Sequence, residues 1–375
     1  MTEVKNYCRT CRSDDVIELE GYRKLKRVTS DCRQLERGGK LYYCSNCGLI
    51  QKFVSESLEN ELRAIYDTYE TYKCNIEPLV FSSDATTLRS NLILNEFREI
   101  LQSVNSGIHV DVGCGDGAFL KEFKKCCPNW TSYGYDINQA RQAEIEDICG
   151  IGRFVSNSLK NIPDNVDLIT MNYVLEHIDS VSEILEVLSR KLSSRGFFVF
   201  VVPNLLENPF DLVVGDHLSH YTRDTMSVQL DRLDIIDERY FLDKELMVLA
   251  KRSKHHRDSP DVNVSPTQIY GKEAVKYLLN VRSHAISEQK KASSFGIFGT
   301  AIAGTWLGCE LAGENYFFVD ENPQTIGTSH LGKLVLHPRE IPNHASVYMP
   351  FGKTIAESIK KRLKRHDTIV FISPE

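Results

Sequence analysis

A glycine-rich turn in the middle of the chain is the feature that most constrains the fold. An apolar run ends at Val112, and Gly113, Gly115 and Gly117 then lead into an amphipathic stretch. Glycine lets the backbone turn sharply and approach a ligand closely, because it has no Cβ. The helix after such a turn offers unpaired N–H groups. The turn therefore predicts a strand–turn–helix unit of a parallel α/β sheet, with a ligand at the carboxyl end of the strand.

The segments around this turn alternate between short apolar runs and amphipathic stretches, which predict strands and helices respectively. The strands are expected at His109–Val112, Thr131–Tyr135, Asp167–Met171 and Phe197–Val202. The helices are expected at Phe119–Cys126, Gln139–Ile148 and Val181–Lys191. Because strands that alternate with helices form parallel sheets covered on both faces, the fold class is α/β.

The rest of the chain forms further segments on either side of this unit. Helical patterns over Glu56–Tyr72 and Thr87–Ser103 precede it, and a polar linker over Lys251–Pro266 follows it. A long helix from Pro266 to about Lys291 and strands at Phe295–Phe298 and Tyr316–Val319 then predict a second α/β unit. At 375 residues the chain is long enough for two or three domains. We expect a metal-binding domain over 1–55, a helical connection over 56–90, a central domain over 91–252 and a C-terminal domain over 265–375.

The composition argues against several classes of protein. The net charge is −6, whereas a nucleic-acid-binding domain is usually basic. No apolar run reaches the roughly 18 residues that a membrane span needs. The opening Met1–Lys5 lacks the apolar core of a secretory signal. We therefore expect a cytoplasmic protein that has neither a nucleic-acid partner nor a membrane partner; its oligomeric state is left open.

Four of the eleven cysteines form two closely spaced pairs, Cys8-x-x-Cys11 and Cys44-x-x-Cys47. Two such pairs can bring four thiolates within tetrahedral reach of one ion, and a closed four-cysteine shell is typical of structural zinc. A metal there would supply folding energy in a segment that is poor in core residues. The prediction is structural Zn²⁺, with an iron–sulfur or redox role left open because the loop between the pairs is long.

The spacing of the glycines separates this turn from the dinucleotide fingerprint, which is Gly-x-Gly-x-x-Gly. Asp111-x-Gly113-x-Gly115-x-Gly117 instead resembles motif I of the class I methyltransferases. That resemblance implies that the turn holds the methionine half of S-adenosylmethionine, whose amino group favours an acidic neighbour such as Asp111.

Two later positions fit the same cofactor. Asp136 ends the next strand, 23 residues after Gly113. A carboxylate about that far along accepts both ribose hydroxyls in α/β nucleotide sites, and we expect Ile137 to line the site beside it. Asn172, which opens Asn172-Tyr-Val-Leu-Glu-His177, resembles the fourth-strand motif of small-molecule methyltransferases.

The segment after the fifth predicted strand is the densest cluster of proton-transfer groups in the chain. It contains Asp216, His217, His220 and Tyr221 within six residues. An oxygen or carbon nucleophile must lose a proton when it accepts a methyl group, and histidine titrates close enough to neutral pH to take it. We expect His217 to be the base, Asp216 to orient it, and His220 or Tyr221 to assist.

Taken together, these motifs resemble the three-domain sugar C-methyltransferases that act on nucleotide-linked deoxysugars. The similar segments are Cys8–Cys11 with Tyr43–Gln51, Tyr66–Tyr72, Asp216–Thr222, and Gly299–Gly304 with Asp320–Pro323. The resemblance implies an N-terminal zinc-binding domain and a tyrosine-rich segment, with Tyr69 and Tyr72, that helps to close the cofactor site. It also implies a Rossmann-like C-terminal domain, with a nucleotide-linked sugar bound between it and the central domain.

The chain departs from that family near the predicted base. Val214 stands where a tyrosine commonly precedes the base histidine by three residues, and Asp216 replaces a glutamate. O-methylation of a saccharide or related metabolite therefore stays open beside C-methylation. A non-catalytic scaffold on a methyltransferase fold and an RNA methyltransferase also stay open. Residues 1–50 carry only ten basic against seven acidic side chains, a small surplus for phosphate contacts.

Two features near the C-terminus have alternative interpretations. The turn Gly299–Gly304, with Asp320 placed 21 residues after Gly299, predicts either a degenerate Rossmann-like fold that contacts substrate or a second nucleotide site. The basic run Lys360–Arg365 predicts the solvated face of a terminal helix, or a contact with a substrate phosphate.

Overall fold

The structure is a computed structural model of the chain, and it describes residues 7–35, 38–67, 79–81, 86–149, 153–156, 158–231, 235–241, 244–252, 265–311, 313, 315–363 and 368–374. The N-terminal part contains short strands and one helix: β1 (Val16–Glu18), β2 (Arg27–Val28), β3 (Gln34–Leu35), β4 (Tyr42–Cys44), β5 (Ile50–Gln51), α1 (Glu56–Asp67), β6 (Leu79–Phe81) and β7 (Thr86–Leu88). The pairs β2–β3 and β6–β7 are separate two-stranded ladders.

The central part is an α/β unit. Its elements are α2 (Arg89–Glu96), α3 (Arg98–Ser103), β8 (Ile108–Val112), α4 (Ala118–Cys126), β9 (Thr131–Tyr135), α5 (Gln142–Cys149), β10 (Phe154–Val155), β11 (Val166–Asn172), α6 (Val181–Lys191), β12 (Leu192–Pro203), β13 (Ser219–His220), α7 (Arg223–Asp231), β14 (Ile235–Phe241) and β15 (Glu245–Arg252). Seven of the strands form a sheet in the order β10-β9-β8-β11-β12-β15-β14. Its first five strands are parallel and β15 is antiparallel to both of its neighbours.

This strand order turns back on itself at β8 and β11, as in doubly wound nucleotide-binding sheets. Ligands of such sheets bind at the carboxyl ends of the strands beside the reversal, where the connections leave in opposite directions. The carboxyl ends of β8, β9 and β11 therefore mark the place where a cofactor site is expected.

The C-terminal part forms a second sheet. Its elements are α8 (Ser265–Lys291), β16 (Phe295–Phe298), α9 (Ile302–Glu310), β17 (Phe317–Val319), β18 (Ser329–His330), β19 (Lys333–Leu336), β20 (Ser346–Tyr348), α10 (Lys353–Arg362) and β21 (Val370–Ile372). The strand order is β18-β19-β17-β16-β20-β21, and all pairs except β18–β19 are parallel. A second α/β unit was expected from the sequence, and the structure confirms it.

The N-terminal part shares its buried side chains with both α/β units. The cysteine-bearing strands pack into the core of the central sheet, together with Tyr221 and Met226. Leu19, Tyr22 and Ile50 lie in a different cluster, with residues of α8, β16 and the segment around Phe210. The short strand β13, which lies between β12 and β14 in the chain, also pairs antiparallel with β5 of the N-terminal part. The segment 204–221 is thus held between all three parts of the chain.

The observed elements confirm most of the predicted ones and correct one. The predicted strand at Thr131–Tyr135 and the predicted helix at Val181–Lys191 have the expected bounds. The predicted helix Thr87–Ser103 is wrong as a single helix, because β7 occupies its start and Phe97, with φ −118°, separates α2 from α3. The predicted Glu56–Tyr72 helix is described only as far as Asp67. Within the described residues, no helix combines the length and apolarity needed to cross a bilayer.

Candidate active site

The glycine turn joins β8 to α4 with three residues in the left-handed region. Gly113, Gly115 and Gly117 have φ values of 75°, 55° and 77°, a conformation that side chains rarely adopt. The N–H groups of Gly113 and Cys114 donate to the carbonyl oxygen of Tyr135, at 2.7 and 3.1 Å. The turn is therefore fixed to the end of β9, and Gly117 is the N-cap of α4.

Asp111 is buried at the base of the turn, on the side that faces β11. Its Oδ1 accepts a hydrogen bond of 2.6 Å from Thr170 Oγ1 and one of 3.4 Å from Asn172 Nδ2. Burial raises the pKa of the Asp111 carboxyl to about 7. The buried Oδ1 of Asn172 has no hydrogen-bond partner among the residues that the structure describes. Two acceptors thus lie together at the end of the parallel strands, where an ammonium group would satisfy both.

Asp136 lies at the end of β9, on the other side of the turn. Its Oδ2 accepts from the N–H of Gly115 at 2.9 Å, and its Oδ1 accepts from Asn138 N at 2.8 Å. A carboxylate accepts up to about four hydrogen bonds, so a pair of vicinal hydroxyls could also donate to it. The neighbouring Ile137 is 73% exposed, an unusual position for a large apolar side chain. These residues fit the ribose and base of a nucleoside.

The chain after β11 connects the glycine turn to a cluster of histidines. Tyr173 has a φ of 56°, and Val174 covers the turn so closely that a Cβ on Gly113 would lie 2.4 Å from Val174 Cγ2. A 3₁₀ turn over Leu175–His177 follows. His177 Nδ1 donates to the carbonyl oxygen of Asp216 at 3.0 Å and lies 3.2 Å from Tyr66 Oη.

Asp211 is the centre of the histidine cluster. It is buried in a 3₁₀ turn over Pro209–Val213. Its Oδ1 accepts from His217 Nδ1 at 2.6 Å, and its Oδ2 accepts from His220 Nδ1 at 2.5 Å. Because a carboxylate only accepts, both Nδ1 atoms carry the hydrogen when Asp211 is ionised, and the free imidazole nitrogen is Nε2. The His217 ring also stands perpendicular to the His177 ring, with 4.7 Å between their centroids.

The electrostatic environment of this cluster gives His217 and His220 different pKa values. Burial works to lower the pKa of His217, but the charge and hydrogen bond of Asp211 outweigh it and leave that pKa above its usual value. Burial lowers the pKa of His220 to about 4. For Asp211, burial is outweighed by the charges of His220 and His217, so its pKa falls below the usual range. Asp211 is therefore an anion beside one imidazole that readily takes a proton and one that stays neutral.

One predicted assignment needs correction. Asp216 was expected to orient His217, but its carboxylate accepts from Ser30 N at 2.8 Å and Ser30 Oγ at 2.5 Å, and lies 3.4 Å from His177 Nδ1. Consecutive side chains leave the backbone in different directions, and this one turns away from His217. Tyr221, which with His220 was one of two residues expected to assist the base, packs in the core of the central sheet, and its role stays a prediction.

Three further residues belong to the cluster although the sequence did not single them out. Asp211 lies five residues before Asp216, the residue that was expected to orient His217. Glu176 is fully buried, and neither of its carboxylate oxygens has a hydrogen-bond partner in the described part of the chain; burial raises its pKa to about 8, which favours the protonated form at neutral pH. Lys52 reaches the cluster from the N-terminal part. Tyr69 and Tyr72 lie outside the described residues, so their predicted place at the cofactor site stays a prediction.

The four paired cysteines come together as the spacing predicted. The Sγ atoms of Cys8, Cys11, Cys44 and Cys47 all lie within 4.8 Å of one another. The separations Cys8–Cys47 and Cys11–Cys44 are 3.5 and 3.4 Å. A tetrahedral Zn²⁺ with bonds of about 2.3 Å holds its sulfurs roughly 3.8 Å apart, so the donor set and its spacing fit that ion.

The comparisons with known proteins agree with the geometry of the turn. A family model described as a methyltransferase domain matches residues 89–235, a range that includes the glycine turn, Asp136 and the histidine cluster up to His220. Residues 89–235 therefore match a methyltransferase domain, and the parallel sheet of this region is Rossmann-like. No curated protein matches the chain in sequence.

Solved structures resemble the chain at low sequence identity. The mitomycin 7-O-methyltransferase MmcR is 16% identical, with a TM-score of 0.38, over 43% of this chain and 54% of that one. YcgJ from Bacillus subtilis is 13% identical, with a TM-score of 0.36, over 44% and 100%. The 1,6-didemethyltoxoflavin-N1-methyltransferase of Burkholderia thailandensis is 12% identical, with a TM-score of 0.39, over 56% and 99%. The chain thus spans about half of the mitomycin enzyme's length.

Proposed function

We propose that the protein transfers a methyl group from S-adenosylmethionine to a carbon or oxygen of a carbohydrate-like small molecule, with His217 as the base. The observation that carries this proposal is the continuity of two sites. The acceptors around the glycine turn lead through residues 172–177 directly to the Asp211–His217 pair. A cofactor site and a proton acceptor next to each other are what methylation of a hydroxyl or an acidic carbon requires.

The residues around the turn would hold the cofactor by its two polar ends. Asp111 and the unpartnered Asn172 Oδ1 suit the ammonium of its methionine half, and Asp136 suits its ribose hydroxyls. Ile137 offers an apolar surface beside the ribose position. When bound, S-adenosylmethionine supplies an activated methyl group on a sulfonium.

His217 would accept the proton that the substrate loses. Asp211 keeps the hydrogen on Nδ1, so that Nε2 is the basic atom, and it stabilises the imidazolium that forms. Since the His217 pKa is raised above its usual value, the neutral base predominates only above that pKa, and turnover should increase as the pH rises through it.

A nucleotide-linked sugar is the substrate class that we favour. Its support is the resemblance to the sugar C-methyltransferases over nearly the whole chain, together with the position of the base. The segment that carries Asp211 packs on the C-terminal part, where the Phe210 ring contacts the rings of Tyr277 and Trp306. A substrate lying between the central and C-terminal parts would therefore lie beside the segment that carries Asp211. We further propose that the four cysteines hold a structural Zn²⁺.

The test begins with cofactor binding, measured by calorimetry with S-adenosylmethionine and S-adenosylhomocysteine. If the metal-loaded protein binds neither of the two compounds, the proposal is wrong. Metal analysis of the same preparation should find one zinc per chain.

The base is tested with a panel of nucleotide sugars, whose products are identified by mass spectrometry as substrates heavier by one methylene. Asp211→Asn and His217→Ala should each lower turnover by roughly 10³- to 10⁴-fold and leave cofactor affinity nearly unchanged. His344→Ala, at an exposed histidine, is the matched control and should behave as the wild type. A His217→Ala variant that retains wild-type turnover would remove His217 from the mechanism.

A further inference from the structure

Lys52 is a buried lysine that the N-terminal part places beneath the histidine cluster. Its side chain is 3% exposed, an uncommon position for a lysine. The ammonium donates to the carbonyl oxygens of Val214 and His217, both at 2.6 Å. Its third contact is His220 Nε2, at 3.4 Å. The three donors of the ammonium are thus directed at three acceptors on one loop.

Main-chain pairing and one arginine tie Lys52 to the cysteine cluster. Lys52 directly follows β5, which pairs with β13, and its N–H donates to the carbonyl oxygen of Leu218 at 2.9 Å. Arg9, which lies between Cys8 and Cys11, donates to the Lys52 carbonyl oxygen at 2.7 Å. The same guanidinium donates to the carbonyl oxygen of Leu218 and, at 3.0 Å, to Ser219 Oγ. The fold around the cysteines therefore determines where the ammonium stands.

The contact between Lys52 and His220 requires the same protonation of the second imidazole as its hydrogen bond to Asp211. Burial lowers the pKa of Lys52 to about 7, and below that pH the protonated lysine can only donate, so His220 Nε2 accepts and the hydrogen of this ring is on Nδ1. That hydrogen is donated to Asp211 Oδ2, which leaves Oδ1 of the same carboxylate for His217. Lys52, His220, Asp211 and His217 thus form a chain in which each hydrogen bond sets the direction of the next.

We propose that Lys52 is a positioning residue for the base His217, acting through His220 and Asp211, and that the cysteine module thereby serves proton transfer as well as folding. This inference rests on the proposed function of His217. It differs from a purely structural role because it requires the protonation of His220 to depend on the Lys52 charge.

The charged groups around these two side chains give the sign of the expected change. Asp211, Asp216, Glu61 and Arg27 face Lys52, and Asp211, Lys52 and His217 face His220. Replacing Lys52 by methionine removes the positive charge nearest to His220 Nε2 and leaves Asp211 in place. The pKa of His220 should therefore rise in Lys52→Met, and the ring should begin to take a second proton at a higher pH than in the wild type.

The wild-type protein supplies the first measurement, which needs no variant and no substrate. Long-range nitrogen–proton spectra of the ¹⁵N-histidine-labelled, zinc-loaded chain report the tautomer of each ring, and His220→Asn assigns the His220 signals by their loss. The expected result at pH 6, where Lys52 is mostly protonated, is a neutral His220 with its hydrogen on Nδ1. A hydrogen on Nε2, or an imidazolium, would overturn the proposal even if Lys52→Met did not fold.

The variants supply the second measurement. Lys52→Met should raise the His220 pKa in the same spectra and lower turnover by roughly 100-fold, since small misplacements of a catalytic group cost about that much. Its affinity for S-adenosylhomocysteine and its zinc content should stay within about 3-fold of the wild type. Lys40→Met, at an exposed lysine of the same part of the chain, is the matched control and should change none of these quantities.

The outcomes separate this inference from the proposed function. A wild-type His220 titration in a folded Lys52→Met variant would overturn the role of Lys52 and leave His217 as the proposed base. A wild-type chain that does not bind S-adenosylhomocysteine would instead overturn the proposed function, whatever the tautomer of His220.

Discussion

The chain contains two turns built on the same plan, one in each α/β unit, and they differ in what their acidic residue binds. In the central turn, Gly113 N donates to the Tyr135 carbonyl oxygen at 2.7 Å, and Asp136 accepts from the turn. In the C-terminal turn, Gly299 N donates to the Val319 carbonyl oxygen at 2.7 Å, and Asp320 accepts from Thr300 N at 2.9 Å. Both carboxylates also accept from the N–H two residues later.

The two carboxylates differ in the further hydrogen bonds that they accept. The hydrogen bonds that Asp136 accepts, at Oδ2 from Gly115 N and at Oδ1 from Asn138 N, come from the backbone. Asp320 Oδ2 accepts a second hydrogen bond, of 2.7 Å, from the hydroxyl of Thr300. A side chain of the protein therefore occupies the position that a ribose hydroxyl would need at the second turn.

The second turn also has no counterpart of Asp111, and it leaves less space between the glycine and the helix that follows. Aligning the two glycines places the buried Ile297 where Asp111 stands. The helix α9 begins three residues after Gly299, whereas α4 begins five residues after Gly113. A Cβ on Gly304 would lie 2.0 Å from the Gly299 carbonyl oxygen, so this helix packs directly against the turn. Of the two interpretations of the C-terminal turn, the comparison favours a degenerate Rossmann-like fold over a second cofactor site.

The largest effect that tests this comparison is expected for matched substitutions of the two carboxylates. Asp136→Ala removes the proposed acceptor of two ribose hydroxyls, and should weaken S-adenosylhomocysteine binding by roughly 3 kcal/mol, a factor on the order of 100. Asp320→Ala should change that affinity by less than about 3-fold. Calorimetry on both variants measures this, and comparable losses in the two would mean that the turns do not differ as argued.

The sequence predicts the regular parts of the central unit better than it predicts the active site. Strands and helices next to the glycine turn follow local periodicity, and Thr131–Tyr135 is found as expected. The error at Thr87–Ser103 has a tertiary cause, since β7 pairs with β6 and periodicity does not reveal a strand partner. The cysteine pairs were recognisable because their spacing is itself the geometric constraint.

The carboxylate that accepts the hydrogen bond of His217 could not be predicted from adjacency in the sequence. Asp216 is adjacent to His217, but the 3₁₀ turn over Pro209–Val213 folds back to bring Asp211 to Nδ1. Lys52 comes from the other side of the chain, 165 residues before His217, through the pairing of β5 with β13. Only tertiary structure creates these contacts, and the one local signal was the presence of Asp211 in the same polar segment.

A smaller effect is expected from Asp111, which has no counterpart in the second turn. Its folded-state pKa of about 7 lies above the value of about 3.9 in an unfolded chain, so the folded state retains the proton longer. Stability is therefore unaffected below about pH 4 and decreases as the pH rises from about 4 to 7. Asp111→Asn should remove this loss and raise the free energy of unfolding at pH 8 by on the order of 2 kcal/mol, measured by urea denaturation.

The same substitution should have the opposite effect on the cofactor. An ionised Asp111 attracts the ammonium of the methionine half, so wild-type affinity for S-adenosylhomocysteine should increase between pH 5 and 8, by about 10-fold. In Asp111→Asn this increase should be absent. Equal pH slopes in the two proteins would show that Asp111 does not contact the cofactor.

The smallest effect is expected from removing the Thr300 hydroxyl, which donates a hydrogen bond to Asp320. Thr300→Val preserves the shape of the side chain and removes its hydrogen bond to Asp320 Oδ2. The free energy of unfolding should fall by about 1 kcal/mol, as for a typical intramolecular hydrogen bond, and Thr300→Ser should restore it. Affinity for S-adenosylhomocysteine should not change, because the second turn is not its site. If calorimetry instead showed a second binding event in Thr300→Val, the Thr300 hydroxyl would be what blocks a functional nucleotide site. In that case the distinction between the two turns would depend on this one side chain.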